Sequence, residues 1–193
     1  MISEREATTM LGALGLAREP ARRALKAGLA GDALRLRGSL LYRAAAVQAL
    51  VRPPVPESAL PAELQQGCFV ARIDPSRVSG LVTDSERRAA VCDGWRVSAI
   101  TRLFFRLRAQ RMDPMPFLAT VSGFVVVGGL VTAAVPHRDV AGAERTRFSL
   151  DPPGPWYPSL HGRLVPTPPG GPWTLIPTAA GALPWLGSSL PAG

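Results

Sequence analysis

The sequence predicts an α+β protein in two parts, a small N-terminal unit of helices around one hairpin and a larger, mainly antiparallel domain. Three observations predict this arrangement. Helical patterns flank an alternating leucine-arginine stretch over residues 1–52. A proline-rich stretch with the composition of a linker covers residues 53–66. Residues 67–176 then combine β-branched runs and turn signals with helical patterns.

Two short helices are predicted at the N-terminus. Ser3 and Glu6 have the spacing of a capping box, so the first helix begins there and runs to about Leu11. The second helix is predicted over 18–27, because Pro20 suits a first turn and Gly28 suits a C-terminal cap.

A basic hairpin is predicted over residues 33–43. Its leucines alternate with Arg35 and Arg37, so the arginines share one face, and Gly38-Ser39 is the expected turn. A third helix is expected over 44–50, since the chain then reaches Arg52-Pro53.

The segment 53–66 carries four prolines and is predicted to be a linker with at most one short helical turn. Beyond it we expect strands near 68–73 and 145–150 and a helix over 84–91. The last residues, 177–193, are predicted to be a flexible tail.

Residues 95–111 predict an amphipathic helix. Its apolar face is expected to hold Ile100, Leu103, Phe104 and Leu107, with arginines on the solvated face opposite. Those arginines are Arg102, Arg106, Arg108 and Arg111.

Residues 117–135 contain no charged side chain, and these 19 residues meet the minimum length for a membrane span. The stretch is rich in valine and threonine, and Ser122-Gly123 marks a turn at its centre. We therefore expect two buried strands rather than a span, and no membrane partner.

The charge of the chain is concentrated at its N-terminus. The net charge is +8 and the isoelectric point is about 11.1. Residues 1–53 hold nine basic and four acidic side chains, whereas the other 140 residues have a net charge of only +3. A basic surface of this kind favours polyanionic partners such as nucleic acid.

Four stretches follow one another in the first 51 residues: "SEREATTMLG", "REPARRALKAGLAG", "LRLRGSLLYR" and "AAAVQALV". They resemble the first helix, recognition helix, wing and following helix of the winged helix-turn-helix found in excisionases and mercuric-resistance (MerR) regulators. The resemblance implies double-stranded DNA as the partner, with helix 18–27 in the major groove and wing 33–43 on the backbone. The DNA-binding residues it implies are Arg18, Arg22, Arg23, Lys26, Arg35, Arg37 and Arg43.

The long dimerisation helix of true mercuric-resistance regulators has no counterpart, because the proline-rich segment follows and carries no heptad pattern. An excisionase-like accessory factor is therefore the closer analogue, and a transcriptional regulator is the other option.

No catalytic or metal-binding motif accompanies this pattern. Cys68 and Cys92 lie 24 positions apart without a neighbouring histidine, so we expect reduced thiols, no metal and no cofactor. His137-Arg138-Asp139 matches the first three residues of a kinase catalytic loop, but position 144 is glutamate where that loop has asparagine. The acidic N-terminus does not fit a signal peptide, and we expect a cytoplasmic protein that is not an enzyme.

Two other functions fit the same residues. The N-terminal unit could be a protein-protein interaction module, with the C-terminal domain contacting a partner or sensing a ligand. Alternatively, the C-terminal domain could bind nucleic acid or a modified base through its strands and Trp95. A deep aromatic-lined pocket would favour that second alternative.

Overall fold

The computed structural model describes residues 1–165, 167 and 170–176, and the predicted tail 177–193 lies outside them. Two β-sheets with packed helices give the α+β class predicted from the sequence. The first unit contains β1 (Ile2–Ser3), α1 (Glu4–Gly12), α2 (Arg18–Lys26), β2 (Leu34–Leu36), β3 (Ser39–Tyr42) and α3 (Ala44–Leu50).

The capping box predicted at the start of α1 is present. The Ser3 hydroxyl accepts a hydrogen bond from the Glu6 amide at 3.3 Å, and the Glu6 carboxylate accepts one from the Ser3 amide at 2.8 Å. At the far end of α2, Gly28 has a φ of +80°, a conformation that glycine adopts at little cost. These two features mark the start of α1 and the end of α2.

The hairpin turns one residue earlier than predicted. Leu36 pairs with Ser39, so the two turn residues are Arg37 and Gly38, with φ values of +48° and +83°. Positive φ at both positions is the geometry of a type I′ turn, which matches the twist of the strands. Arg37 therefore lies at the tip of the hairpin and not beside Arg35 on a strand face.

The predicted linker is part of the folded core. Residues 53–66 form a 3-10 turn (Glu57–Ala59) and α4 (Ala62–Gln65), and they bury Val55, Leu60 and Leu64. Burial of these three side chains against the second sheet excludes a freely moving connection.

The second unit is built on a five-stranded sheet. Its strand order is β7-β6-β5-β4-β8, and every neighbouring pair is antiparallel except β4 with β5. The elements are β4 (Cys68–Arg72), α5 (Asp84–Val91), α6 (Ala99–Gln110), β5 (Met115–Val121), β6 (Phe124–Arg138), β7 (Glu144–Asp151), α7 (Tyr157–Leu160) and β8 (Trp173–Ile176).

The uncharged stretch at 117–135 forms the predicted hairpin. Strands β5 and β6 pair through a turn at Ser122-Gly123, where φ is +53° and +86°. Within the described residues, no helix has the length and apolar character needed to cross a membrane. Strand β5 is buried throughout and the first six residues of β6 are buried, whereas the end of β6 reaches the surface, with Val135 55% exposed.

Helix α6 buries a different face from the one predicted. Phe104, Phe105 and Arg108 are buried, whereas Ile100, Leu103 and Leu107 are 69%, 50% and 42% exposed. The two adjacent phenylalanines carry the largest apolar area, and they pack on the sheet at the expense of the smaller leucine face. The helix also begins later than predicted, because Ser98 caps it.

The two faces of the second sheet contact different cores. Phe69 and Phe117 face α5 and α6 in an aromatic cluster, while Val70 and Leu118 face the segment 53–66 on the other side. This alternation is the two-residue period of a strand. Trp95 is buried against Phe69 and Phe117 in the first core, so its ring is enclosed by packing and does not offer the open aromatic surface that the modified-base alternative expects.

The two units share buried side chains. Phe124, at the start of β6, is fully buried in the core of the first unit, and Ala27 packs into the aromatic cluster of the second. The backbone N–H of Val55 also donates to the Leu164 carbonyl at 2.8 Å. The first unit is therefore packed against the second and is not joined to it by the connecting segment alone.

Both cysteines are free thiols. Cys68 is buried, and Cys92 is partly buried.

Candidate nucleic-acid interface

Helix α2 presents a basic stripe to solvent. Ala21, Ala24 and Leu25 are buried and attach the helix to the rest of the unit. Arg18, Arg22 and Lys26 follow one another at four-residue intervals and are exposed, so they form one row along the helix. This is the arrangement that the predicted recognition helix requires.

The Arg22 side chain of α2 forms an ion pair with the first residue of α1. Its Nε lies 2.9 Å from Glu4 Oε1, and its Nη1 lies 4.0 Å from Glu19 Oε2. The Arg22 side chain is still 44% exposed. Exposed ion pairs of this kind contribute at most about 1 kcal/mol, so Arg22 can exchange its carboxylate for a phosphate at little cost.

Arg23 points to the second unit. Its Nη2 lies 3.4 Å from Asp74 Oδ2. The Ser76 amide and hydroxyl donate to Asp74 Oδ1 at 3.0 Å and 2.7 Å. These hydrogen bonds, followed by the charges of Arg23 and Lys26, hold the pKa of Asp74 below its usual value. A fixed negative charge therefore borders the basic helix.

A cleft of about 590 Å³ joins α2, the hairpin and the second unit. Arg23 and Lys26 line it from the helix, and Leu40 lines it from the hairpin. Asp74 and Ser76 line it from the second unit. The structure thus brings the predicted recognition helix and the base of the predicted wing to one surface.

A further group of basic and hydroxyl side chains lies around the start of α2. Arg18 and Arg5 line one shallow groove together with Thr8 and Thr9. Arg5 was not among the residues predicted from the sequence. Its position on α1 becomes meaningful only when α1 and α2 pack side by side.

The hairpin residues and Arg43 are spread over the unit. Arg35 lies in β2 opposite Leu40, and Arg37 occupies the exposed turn. Arg43 precedes α3 and lines a different cleft, which Arg52 also lines. Of the seven predicted residues, only Arg22 and Arg23 form ion pairs within the described chain.

The second basic group, on α6, is partly neutralised. The Arg102 guanidinium lies 2.7 Å from Glu144, and the Arg108 guanidinium lies 2.7 Å from Asp113. These two arginines were predicted on a solvated face, but Arg108 is buried and Arg102 is half-buried. Only Arg106 and Arg111 of this group are exposed.

Metal-ligand geometry is absent from the part of the chain that the structure describes, where no group of three or more histidine, cysteine or acidic side chains could hold a metal ion. His137, from the kinase-like triplet, places its Nε2 3.1 Å from Asp93 Oδ1. Asp93 also forms an ion pair with Arg147 at 2.6 Å, so His137 contacts a carboxylate that already has a cationic partner.

Comparison of the chain with protein-family models, with curated proteins and with solved structures found no match.

Proposed function

We propose that this chain is a cytoplasmic, non-enzymatic protein that binds double-stranded DNA through an N-terminal winged helix-turn-helix. Helix α2 enters the major groove, and the hairpin β2-β3 lies on the sugar-phosphate backbone. The protein acts as an excisionase-like accessory factor or as a transcriptional regulator.

The exposed stripe of Arg18, Arg22 and Lys26 carries the proposal. Eight residues of helix separate its ends, a rise of about 12 Å, which is comparable to the width of the major groove. Arginine can contact the O6 and N7 atoms of guanine with two hydrogen bonds, and lysine can contact phosphate. The stripe therefore suits a helix lying across a groove.

The hairpin supports the same orientation. Arg35 and Arg37 are exposed on β2 and at the turn, and Leu40 of the hairpin borders the cleft that α2 lines. Phosphate contacts from a wing would fix the position of the protein on the duplex without reading its sequence.

Fluorescence anisotropy with a labelled duplex of about 20 base pairs, two helical turns, tests the proposal. The full chain is titrated at about 50 mM salt, where the affinity for phosphate is high. We expect the double variant Arg22→Gln/Lys26→Gln to bind at least about tenfold more weakly. The control Arg106→Gln/Arg111→Gln removes the same charge from α6 and should bind like the wild type. Equal losses in both variants would refute an interface on α2.

A protein partner for the C-terminal domain is the second candidate. The observation that favours it is the exposed apolar row of Ile100, Leu103 and Leu107 on α6, since exposed apolar rows often mark contact surfaces. Crosslinking from a photoreactive group at position 103 in cells would test it. Crosslinks to a protein that disappear with Ile100→Ser/Leu107→Ser would support this role, and their persistence would oppose it.

A further inference from the structure

A second basic cleft, separate from the α2 stripe, lies where the two units meet. It has a volume of about 590 Å³ and is bordered by α3 on one side and by residues 161–163 on the other. Three arginines line it, Arg43, Arg52 and Arg163. Asp32 is the one acid among the described residues that line it, so the cleft has an excess of positive charge.

The backbone around Arg163 is rigidly held. The Arg163 carbonyl accepts from the Val125 amide at 3.0 Å, and the Arg163 amide donates to Leu160 at 2.9 Å. The neighbouring Gly162 amide donates to Val125 at 2.9 Å. Because these bonds tie residues 161–163 to the start of β6, the guanidinium is presented from a fixed support.

The Arg163 side chain has a donor without an acceptor. Its Nη2 donates to the Pro53 carbonyl at 3.2 Å, across the junction of the units. Its Nε–H is shielded from solvent and has no hydrogen-bond partner within the described chain. A shielded donor without an acceptor is costly, so Arg163 brings to the cleft that it lines a hydrogen-bonding capacity that the described chain does not use.

We propose that this cleft binds a phosphate group through Arg52 and Arg163, with Arg43 as a third cation in its lining. Guanidinium groups bind phosphate oxygens in pairs of parallel hydrogen bonds, and three of them against one carboxylate suit a dianion. The apolar side chains of Ala46, Ala49 and Leu50 also line the cleft, so it can hold the organic part of a phosphate ester. The phosphate comes from a free nucleotide or from a nucleic-acid backbone.

Pyrophosphate is the probe for this site. Isothermal titration of the full chain, at constant ionic strength in a chloride buffer, is expected to show saturable binding. Arg163→Gln and Arg52→Gln should each weaken binding at least about tenfold, because each removes a paired contact. The control Arg106→Gln, on α6, should bind like the wild type. Absence of saturable binding, or equal affinity in all variants, would overturn the proposal.

Stability controls keep the test decisive. If Arg163→Gln unfolds the protein, Arg52→Gln decides the outcome, because Arg52 is exposed and substitutions at exposed positions have small effects on stability. Arg163→Lys keeps the charge but lacks the forked donors, so it should bind more weakly than the wild type. Wild-type affinity in Arg163→Lys would contradict a paired contact.

Competition identifies the source of the phosphate. Displacement of pyrophosphate by a nucleoside triphosphate supports a free nucleotide, and displacement by a duplex supports a backbone phosphate. Failure of both competitors would overturn the proposed ligand class. The variant Arg22→Gln/Lys26→Gln, which tests the α2 surface, should keep wild-type pyrophosphate binding, so this site and the proposed DNA-binding function can fail independently.

Discussion

Arg23 of α2 and Asp74 of the second unit face each other across the cleft beside the basic stripe, with Nη2 of the arginine 3.4 Å from Oδ2 of the aspartate. Asp74 is oriented by two hydrogen bonds from Ser76. In the proposed complex this carboxylate competes with phosphate for Arg23 and repels the DNA backbone. We therefore propose that the second unit limits the affinity of the first for DNA.

Replacing Asp74 with asparagine should therefore strengthen DNA binding. We expect Asp74→Asn to lower the Kd by about threefold at low salt, since exposed charge pairs have modest effects. Anisotropy with the duplex described above measures the change. Asp151→Asn, at the exposed end of β7, removes the same charge elsewhere and should leave the Kd unchanged. An equal gain in both variants would assign the effect to net charge.

Phe124 should connect the stability of the two units. Its side chain is fully buried in the first core although it belongs to a strand of the second sheet. We expect Phe124→Ala to lower the free energy of unfolding by about 3–5 kcal/mol. Urea unfolding followed by tryptophan fluorescence and by circular dichroism should give one shared transition. Two separate transitions would contradict a common core.

The two faces of α6 should respond differently to truncation. Phe105→Ala removes a fully buried ring and should cost about 3–5 kcal/mol, whereas Leu103→Ala should cost no more than about 0.5 kcal/mol. Thermal and urea unfolding of both variants measure the difference. Equal losses would restore the helix orientation predicted from the sequence.

Acid should destabilise the first unit through Glu6. Hydrogen bonds from the Ser3 backbone and then from its hydroxyl lower the pKa of Glu6 in the folded protein. The stabilisation is therefore present above the unfolded pKa and is lost as the pH falls below about 4.5. Urea unfolding at about pH 6 and about pH 3 should show a smaller loss in Glu6→Gln than in the wild type. Glu63→Gln controls for removal of one carboxylate. If Glu6→Gln lost as much stability between the two pH values as the wild type does, the capping role would be contradicted.

Local signals predicted the elements well because their causes lie within a few residues. The capping pair Ser3 and Glu6, the glycine after α2 and the turn at Ser122-Gly123 each depend on adjacent backbone groups. The hairpin turn was wrong by one residue, since both Arg37-Gly38 and Gly38-Ser39 contain the glycine that a turn requires.

Long-range packing could not be predicted in the same way. The proline-rich composition of 53–66 indicated a linker, but its Val55, Leu60 and Leu64 side chains are buried against the second sheet. The face of α6 was wrong because the apolar period is ambiguous where two phenylalanines adjoin leucines. Asp74 lies far from Arg23 in the sequence, and only the tertiary fold brings the two side chains together.

The salt dependence of DNA binding tests the central claim most directly. A plot of log K against log salt concentration should fall linearly for the wild type, with a slope of about −0.9 for each phosphate contacted. Lys26→Gln should make that slope shallower by about one contact, while Arg106→Gln should leave it unchanged. A slope near zero in the wild type, or the same change in both variants, would contradict a DNA interface on α2.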